Sequence, residues 1–547
     1  MDNNQVVVRH FRQILLWPLQ LMPINPGAQI QKHWEHLDRT QTEHPWRAVV
    51  DEIGNPDAFR ERHYSEFITF LPHVQRFLYG ESDSSGGADS PIRVYRRSDI
   101  AAVRVVLSKA HPQPIEFAVA HTDLYFFLDI DVVILAFEMH ANELPLNVAQ
   151  ETLYRFGRAY PPFWDDDGSG GHCPQRVEWL GTDGRVLAAS DYEDQQRFLY
   201  SVARHRAPEI SAHWEFLLAP LVQNQLPRAG PMRFRQLEYY RMPLMAYLAV
   251  DDPLRLTRPQ FVRLALATGE GQADELPFSE QHLADFEQRY CYDRGWRGAS
   301  SGNSALRLMT CGHATVIVGC SRDSFFTGLD RGALAQFRHQ HFLVVLIAHL
   351  HKAALLMLSD RLVGALNRLD IGSFDSVRRF KRTIRATKEI FLRFSHRYWF
   401  HEVSDQVQAR DLFHMCSGHL GVEQLYTEVR EEIQDMSDYL DSDSLRRQAN
   451  TVVRLTVVTA FGLIGTVVTG FLGMNLFAAA ENDVLTKVIY FLLVLVPVTW
   501  LTFYTIVKSK RLADFLEALS DERLSSRAKL ASLVAVWKDR NTARNSR

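Results

Sequence analysis

The sequence predicts a cytoplasmic α/β domain, then a long helical stalk, then two C-terminal transmembrane helices: α+β overall, and a membrane protein. Three observations carry this. Up to about residue 330 short β-rich runs alternate with helical pieces and loop signals. From Gly332 onward the apolar period becomes helical. Near the C-terminus two stretches are long and apolar enough to cross a bilayer.

The composition sets the frame. At 547 residues the chain has room for two or three domains. The net charge of −3 gives no global basic field of the kind that attracts nucleic acid. Five scattered cysteines (Cys173, Cys291, Cys311, Cys320, Cys416) form an odd set without CxxC spacing. This fits a reducing compartment and argues against a disulfide framework or a zinc ribbon. The first ten residues, MDNNQVVVRH, lack a basic segment followed by an apolar run, so a secretory signal is not expected.

Residues 1–90 are hard to place, because Pro18, Pro23, Pro26, Pro45 and Pro56 divide them into short pieces. The segment ESDSSGGADSP (81–91) reads as a loop. Strand-like runs follow at 92–95, 101–107, 115–120 and 124–135, the last (LYFFLDIDVVIL) β-rich and central to a sheet. Within it Asp129 and Asp131 would share a strand face as a polar pair rather than a catalytic dyad. Residues 147–160 read as a helix ending before Pro161-Pro162. The stretches 214–222 and 236–250 are apolar and ambiguous, and 316–319 is strand-like.

Residues 333–369 show helical spacing and no proline. The run FLVVLIAHLHKAALLML (342–358) is interrupted by His349, His351 and Lys352, which favours a buried bundle helix over a third span. His339/His341 and His349/His351 resemble metal-ligand pairs, but residues i and i+2 on a helix diverge by about 200° and cannot share an ion. Ile371-Gly372-Ser373 ends this helix. A second one covers about 374–413, in one or two pieces. Gly418 and Gly421 mark the next boundary, and a last helix should run from near Val422 to Gly473. Such a rod measures about 78 Å. A membrane needs less than half of that, and the excess would stand as a stalk. Identical stalks would pack about a common axis, which implies an oligomer.

The first membrane stretch is 452–473 (VVRLTVVTAFGLIGTVVTGFLG), whose single charge is Arg454; the second is 488–507 (VIYFLLVLVPVTWLTFYTIV), with none. A hydrocarbon core about 30 Å thick needs about 20 such residues. Arg446, Arg447 and Arg454 precede or begin the first stretch, and Lys508, Lys510 and Arg511 follow the second. The connecting turn holds Lys487 against Glu481 and Asp483. By the positive-inside rule both termini lie in the cytoplasm, and the membrane would be the inner (plasma) membrane. The expected division is 1–330 cytoplasmic α/β domain, 331–450 helical bundle and stalk, 451–475 first transmembrane helix, 476–487 external loop, 488–507 second transmembrane helix, and 508–547 basic helical tail.

Gly473-Met474-Asn475 closes the first of these two terminal spans, after a long helical stalk. With that context the chain resembles the CorA family of divalent-cation channels and transporters over about 331–510. The resemblance implies a homopentamer and a Gly473-Met474-Asn475 selectivity filter. In it the Asn475 carboxamides form an outer ring, assisted by the Gly473 carbonyl. It also implies Mg²⁺ as the transported ion and a possible regulatory ligand, with no covalent cofactor.

At 100° per residue Val452, Leu455, Thr459, Leu463, Thr466 and Gly470 fall within an arc of about 80°. Their distances from Asn475 match the pore-facing positions of the resembled family. Rings of Leu can close a pore by dewetting, and Thr hydroxyls can hydrogen-bond a hydrated ion. The competing reading is helix packing, since Gly462, Thr466 and Gly470 form a small-xxx-small stripe. Asn475 stands roughly 140° or more from most of the arc on an ideal helix, so the helix should end or unwind at Gly473, where glycine makes this inexpensive.

The family often has an acidic residue close to the asparagine. Here Leu476 to Ala480 carry none, and Glu481 and Asp483, which could attract cations or be solvated loop residues, come later. On the stalk, Glu428, Glu431, Glu432, Asp435 and Asp438 are regulatory metal candidates, or a solvated helix face. The chain has no GxxxxGK[ST], HExxH or convincing GxSxG, so an enzyme is not expected. The expected partners are copies of itself, membrane lipid and divalent cations, and no nucleic acid. The alternatives are a Zn²⁺ (or Co²⁺/Ni²⁺) transporter of the same family, or a membrane-anchored sensor whose large N-terminal domain carries the function.

Overall fold

The computed structural model describes residues 6–24, 32–49, 59–80, 91–228, 230, 232–238, 240–269, 271, 276, 278–296, 305–370, 373–476, 483–486, 488–489, 492–493, 495–501 and 504. The expected helical tail lies outside them. The chain forms two units, residues 1–433 and 434–547.

The first unit is built on a mixed sheet of fourteen strands among the described residues. Its centre is the strand Val7–Leu21, in the region that the prolines made hard to place. Pro18 sits inside it without cost. On one side the strand pairs continuously with Val132–Pro145. On the other its partners change: Leu244–Val250 ends opposite Leu15, and Arg233–Gln236 begins opposite Leu19. The Leu16 N–H donates to that second side, to the Pro243 carbonyl at 2.8 Å. Two residues on, the nitrogen of Pro18 faces the same side, in the gap between partners, where no ladder donor is required.

From this strand the sheet extends one way through Ile115–Phe127, Ile100–Val106, Arg176–Gly181 and Val186–Ala189. The other way it passes through Leu244–Val250 to Ala314–Cys320, Arg307–Thr310 and Cys291–Tyr292. Pairing is antiparallel except for Leu244–Val250 with Ala314–Cys320 and Arg233–Gln236 with Val222–Gln223. Trp17, Trp179 and Trp214 are fully buried in the core, with Trp17 and Trp179 each about 6 Å or less from Trp214.

The run 124–135 is not one strand. Ile115–Phe127 and Val132–Pro145 form a hairpin, and Asp129 in its turn takes a φ of +66°. Alternation counts cannot reveal a turn made of apolar residues and aspartates. The expected shared strand face of Asp129 and Asp131 is therefore corrected: both lie in the turn.

The helix over 342–358 is buried in the first unit, as Phe342–Asn367, preceded by one π-type turn over Phe337–His341. It packs on the two central strands Val7–Leu21 and Val132–Pro145. The next helix comes in two pieces, Phe374–Arg397, capped by Ser373, and Val407–Leu420. Gly421, at a φ of +65°, ends the second piece in the left-handed conformation that glycine adopts without penalty. Gly418 is inside that helix and ends nothing. The last helix, Val422–Leu476, is continuous for 55 residues. It runs three residues past Gly473, because one glycine weakens a helix by only about 1 kcal/mol.

Candidate ion-conduction helix

Helix Val422–Leu476 carries nearly every residue singled out for ion transport. Along its first turns Val422, Val429 and Ile433 are buried. Glu428, Glu431, Glu432, Asp435 and Asp438 are all exposed, and at 100° per residue they occupy the opposite side. Gln424 donates to Glu428 at 2.9 Å and Gln434 to Asp438 at 2.8 Å, each one helical turn away. The arrangement is a solvated acidic stripe, open to cations.

In the second unit all six arc residues are exposed: Val452, Leu455, Thr459, Leu463, Thr466 and Gly470. Leu455 and Leu463 keep about two thirds of their surface open. Among the described residues the other side is partly covered, with Thr451 and Arg454 at its start exposed. Val457 is buried, and Val458, Gly465 and Thr469 are half-buried, centred about 120° or more from the arc. Gly465 lies against the second apolar stretch: a β-carbon there would stand 2.9 Å from Val498 Cγ1. Gly462 and Gly470 have no described atom within 4 Å of that position. Among the described residues the hairpin's packing therefore runs through Gly465, and Thr466 and Gly470 stay exposed beside it.

The threonines have a fixed polarity. Thr459 donates to the Leu455 carbonyl at 2.8 Å and Thr466 to the Gly462 carbonyl at 2.9 Å. With the hydroxyl proton committed to the helix, each oxygen presents only acceptor lone pairs outward.

Gly473, Met474 and Asn475 have helical backbone, and their side chains lie outside the described residues. Glu481 also lies outside. Asp483 is exposed, and its carboxylate accepts from the Val484 N–H at 2.8 Å as the second apolar stretch begins. On that stretch Trp500 and Tyr504 stack at 5.5 Å. Such a pair suits the boundary between hydrocarbon and headgroups, a signal present in the sequence.

The histidines of the bundle do not converge. His351 Nε2 donates to the Tyr398 carbonyl at 2.6 Å, and burial pushes both His341 and His351 down to about 4. The turn aspartates tie the sheet to the helices instead. Asp131 receives His33 Nε2 at 2.9 Å and Arg361, and Asp129 receives Arg397 at 2.8 Å. Alternating patterns do not show such long-range partners.

A cavity of about 160 Å³ beside the π-type turn is lined by Arg96, His121, Asp123, Glu138, Arg338 and His339. Its charges satisfy one another: Arg338 pairs with Glu138 at 2.7 Å and Arg96 with Asp123 at 2.7 Å.

Residues 371–509 match the family model described as CorA-like Mg2+ transporter protein. The chain carries a CorA-like domain. The match covers Phe374–Arg397, Val407–Leu420, the long helix and the second apolar stretch, and it stops short of Phe342–Asn367 and the fourteen-stranded sheet. That segment, about a quarter of the chain, is therefore similar to a family of divalent-cation transporters. No curated protein and no solved structure matches the chain.

Proposed function

We propose that the CorA-like chain assembles into an oligomeric channel that moves Mg²⁺ into the cytoplasm across the inner membrane. The observation that carries the reading is the division of the first span. Among the described residues one side is partly covered, with Gly465 against Val498, while Thr459, Thr466 and Gly470 on the other side are exposed. Copies of the chain arranged about an axis, five as in the family, would turn that side inward. Val452, Leu455 and Leu463 then form apolar constrictions, and Thr459 and Thr466 offer acceptors to the waters around the ion.

In this reading Asn475 supplies the outer ring. Neutral amide oxygens suit an ion that dehydrates reluctantly and keeps its waters. On a helix continuous to Leu476, Asn475 stands about 140° around from Gly470. Assembly therefore unwinds the helix between them, at Gly473. Two charges falling through 100 mV release about 4.6 kcal/mol, enough to drive entry. Glu481 and Asp483 above the ring, and the acidic stripe from Glu428 to Asp438 below, concentrate cations at the two mouths.

The test is uptake of Mg²⁺ and Zn²⁺ into liposomes with an imposed inside-negative potential. Voltage-following Mg²⁺ entry that disappears in Asn475→Ala is the expected result. Zn²⁺ entry dependent on a proton gradient would make the chain a Zn²⁺ transporter, a reading that the acid-free segment Leu476 to Ala480 leaves open. Absence of flux from intact oligomers would shift the function to the N-terminal unit.

A further inference from the structure

Arg158 and Arg241 face each other in an isolated antiparallel bridge. The bonds that flank them run from Ala159 N to the Tyr240 carbonyl at 2.5 Å and from Met242 N to the Gly157 carbonyl at 2.9 Å. This makes them a non-hydrogen-bonded pair, the closer kind, with Cα atoms about 4.5 Å apart and side chains leaving on one face. Like charges placed so repel one another.

Neither charge has a counter-charge among the described residues. Arg158 is 2% exposed. Its Nε and Nη2 both donate to the Tyr154 carbonyl, at 3.0 and 2.6 Å. Arg241 Nη2 donates to the carbonyls of Leu266 and Ala267, and its Nε is buried without a partner. Among the described residues neither guanidinium's Nη1 makes a hydrogen bond. Glu151, one turn before Arg155 on the same helix, is taken by Arg155 at 2.6 Å. The neighbouring histidines add no negative charge: burial and then Arg241 push His313 down to about 4, and burial with Arg158 lowers His172. Other buried or half-buried arginines of this unit behave differently. Arg97 pairs with Asp99, Arg307 with Asp293, and Arg12 and Arg338 with Glu138.

A buried guanidinium and a half-buried one on facing residues, with no carboxylate partner among the described residues, are unfavourable unless an anion joins them. We propose that Arg158 and Arg241 bind a phosphate group, of inorganic phosphate or of a small phosphorylated molecule. The Nη1 groups supply charge-assisted donors to its oxygens. The rings of Tyr154 and Tyr240, 5.2 and 5.1 Å from the Arg158 guanidinium carbon, hold that guanidinium in place. The site belongs to the fourteen-stranded unit, outside the CorA-like segment, and is independent of the proposed conduction path.

The experiment is thermal unfolding of the full chain in detergent, titrated with inorganic phosphate or with adenosine monophosphate at constant ionic strength set by chloride. In the wild type the midpoint should rise with phosphate concentration beyond chloride alone. Arg241→Gln and Arg158→Gln should each weaken the apparent affinity about tenfold or more. Equal effects of the two ligands identify inorganic phosphate, and a stronger effect of the nucleotide identifies an organic phosphate. An identical phosphate response in wild type and Arg241→Gln, or none in the wild type, overturns the site. Should Arg158→Gln fail to fold, phosphorus NMR line broadening on the wild type, competed by sulfate, decides: absence of broadening overturns the proposal.

Discussion

Gly465 stands against Val498 so closely that any side chain at 465 meets the second apolar stretch, with a β-carbon 2.9 Å from Val498 Cγ1. Gly465→Leu should therefore separate the two helices and cost about 1–3 kcal/mol, the usual range for overpacking. Gly470→Ala meets open space and should leave stability unchanged or slightly higher, since alanine is the better helix former. Thermal unfolding in detergent compares the two. If Gly470→Ala destabilised as much as Gly465→Leu, the hairpin would not pack through Gly465.

Thr466 tests the exposed side chemically. Its proton is given to the Gly462 carbonyl, so its value to a passing ion lies in its lone pairs. Thr466→Val keeps the shape and removes them. Flux should fall several-fold, on the scale of about 1 kcal/mol for one hydrogen bond, while the unfolding midpoint hardly moves. Thr466→Ser keeps the acceptor and should retain flux. Equal loss in both variants would mean that shape rather than hydrogen bonding matters there.

The C-terminal half was legible because its signals are local. A left-handed glycine marked Gly421, and histidines within an apolar run marked Phe342–Asn367 as core. The centre of the sheet was not legible. Val7–Leu21 contains a proline whose harmlessness depends on two partner strands more than 200 residues away. The turn at Asp129 and Asp131 was hidden for a related reason, since what holds these residues is arginines on distant helices. The Arg158–Arg241 bridge likewise exists only once the chain has folded. At the candidate filter the sequence named Gly473, Met474 and Asn475 through their context, and only helical backbone is described there.

The acidic stripe on the long helix predicts a salt-dependent effect. Glu428, Glu431, Glu432, Asp435 and Asp438 are exposed, so replacing the set by Gln and Asn should not change stability appreciably. It should lower Mg²⁺ flux at low ionic strength, and the difference should vanish as the Debye length shrinks toward about 3 Å at 1 M salt. Flux measured over a salt series checks this. A variant equal to wild type at every ionic strength would leave the stripe as ordinary solvated surface.

Asp131 sets the acid limit of the N-terminal unit. Burial by itself would raise its pKa, but the hydrogen bond from His33 and the charge of Arg361 outweigh that and hold it below the ordinary aspartate value. Glu138 follows the same logic, held down by Arg338 and Arg12 against burial. A carboxylate whose folded pKa is depressed stabilises the protein at every pH above its unfolded value, near 4. That contribution declines as pH falls from there through the lower folded value. Asp131→Asn removes it and leaves the half-buried Arg361 without its partner, which should cost about 1–3 kcal/mol at neutral pH. The difference between wild type and variant should be constant from pH 8 to about 5 and shrink below about 4. Unfolding midpoints over a pH series give this directly. A difference that persists undiminished into acid would mean that Asp131 acts through shape and not through its charge.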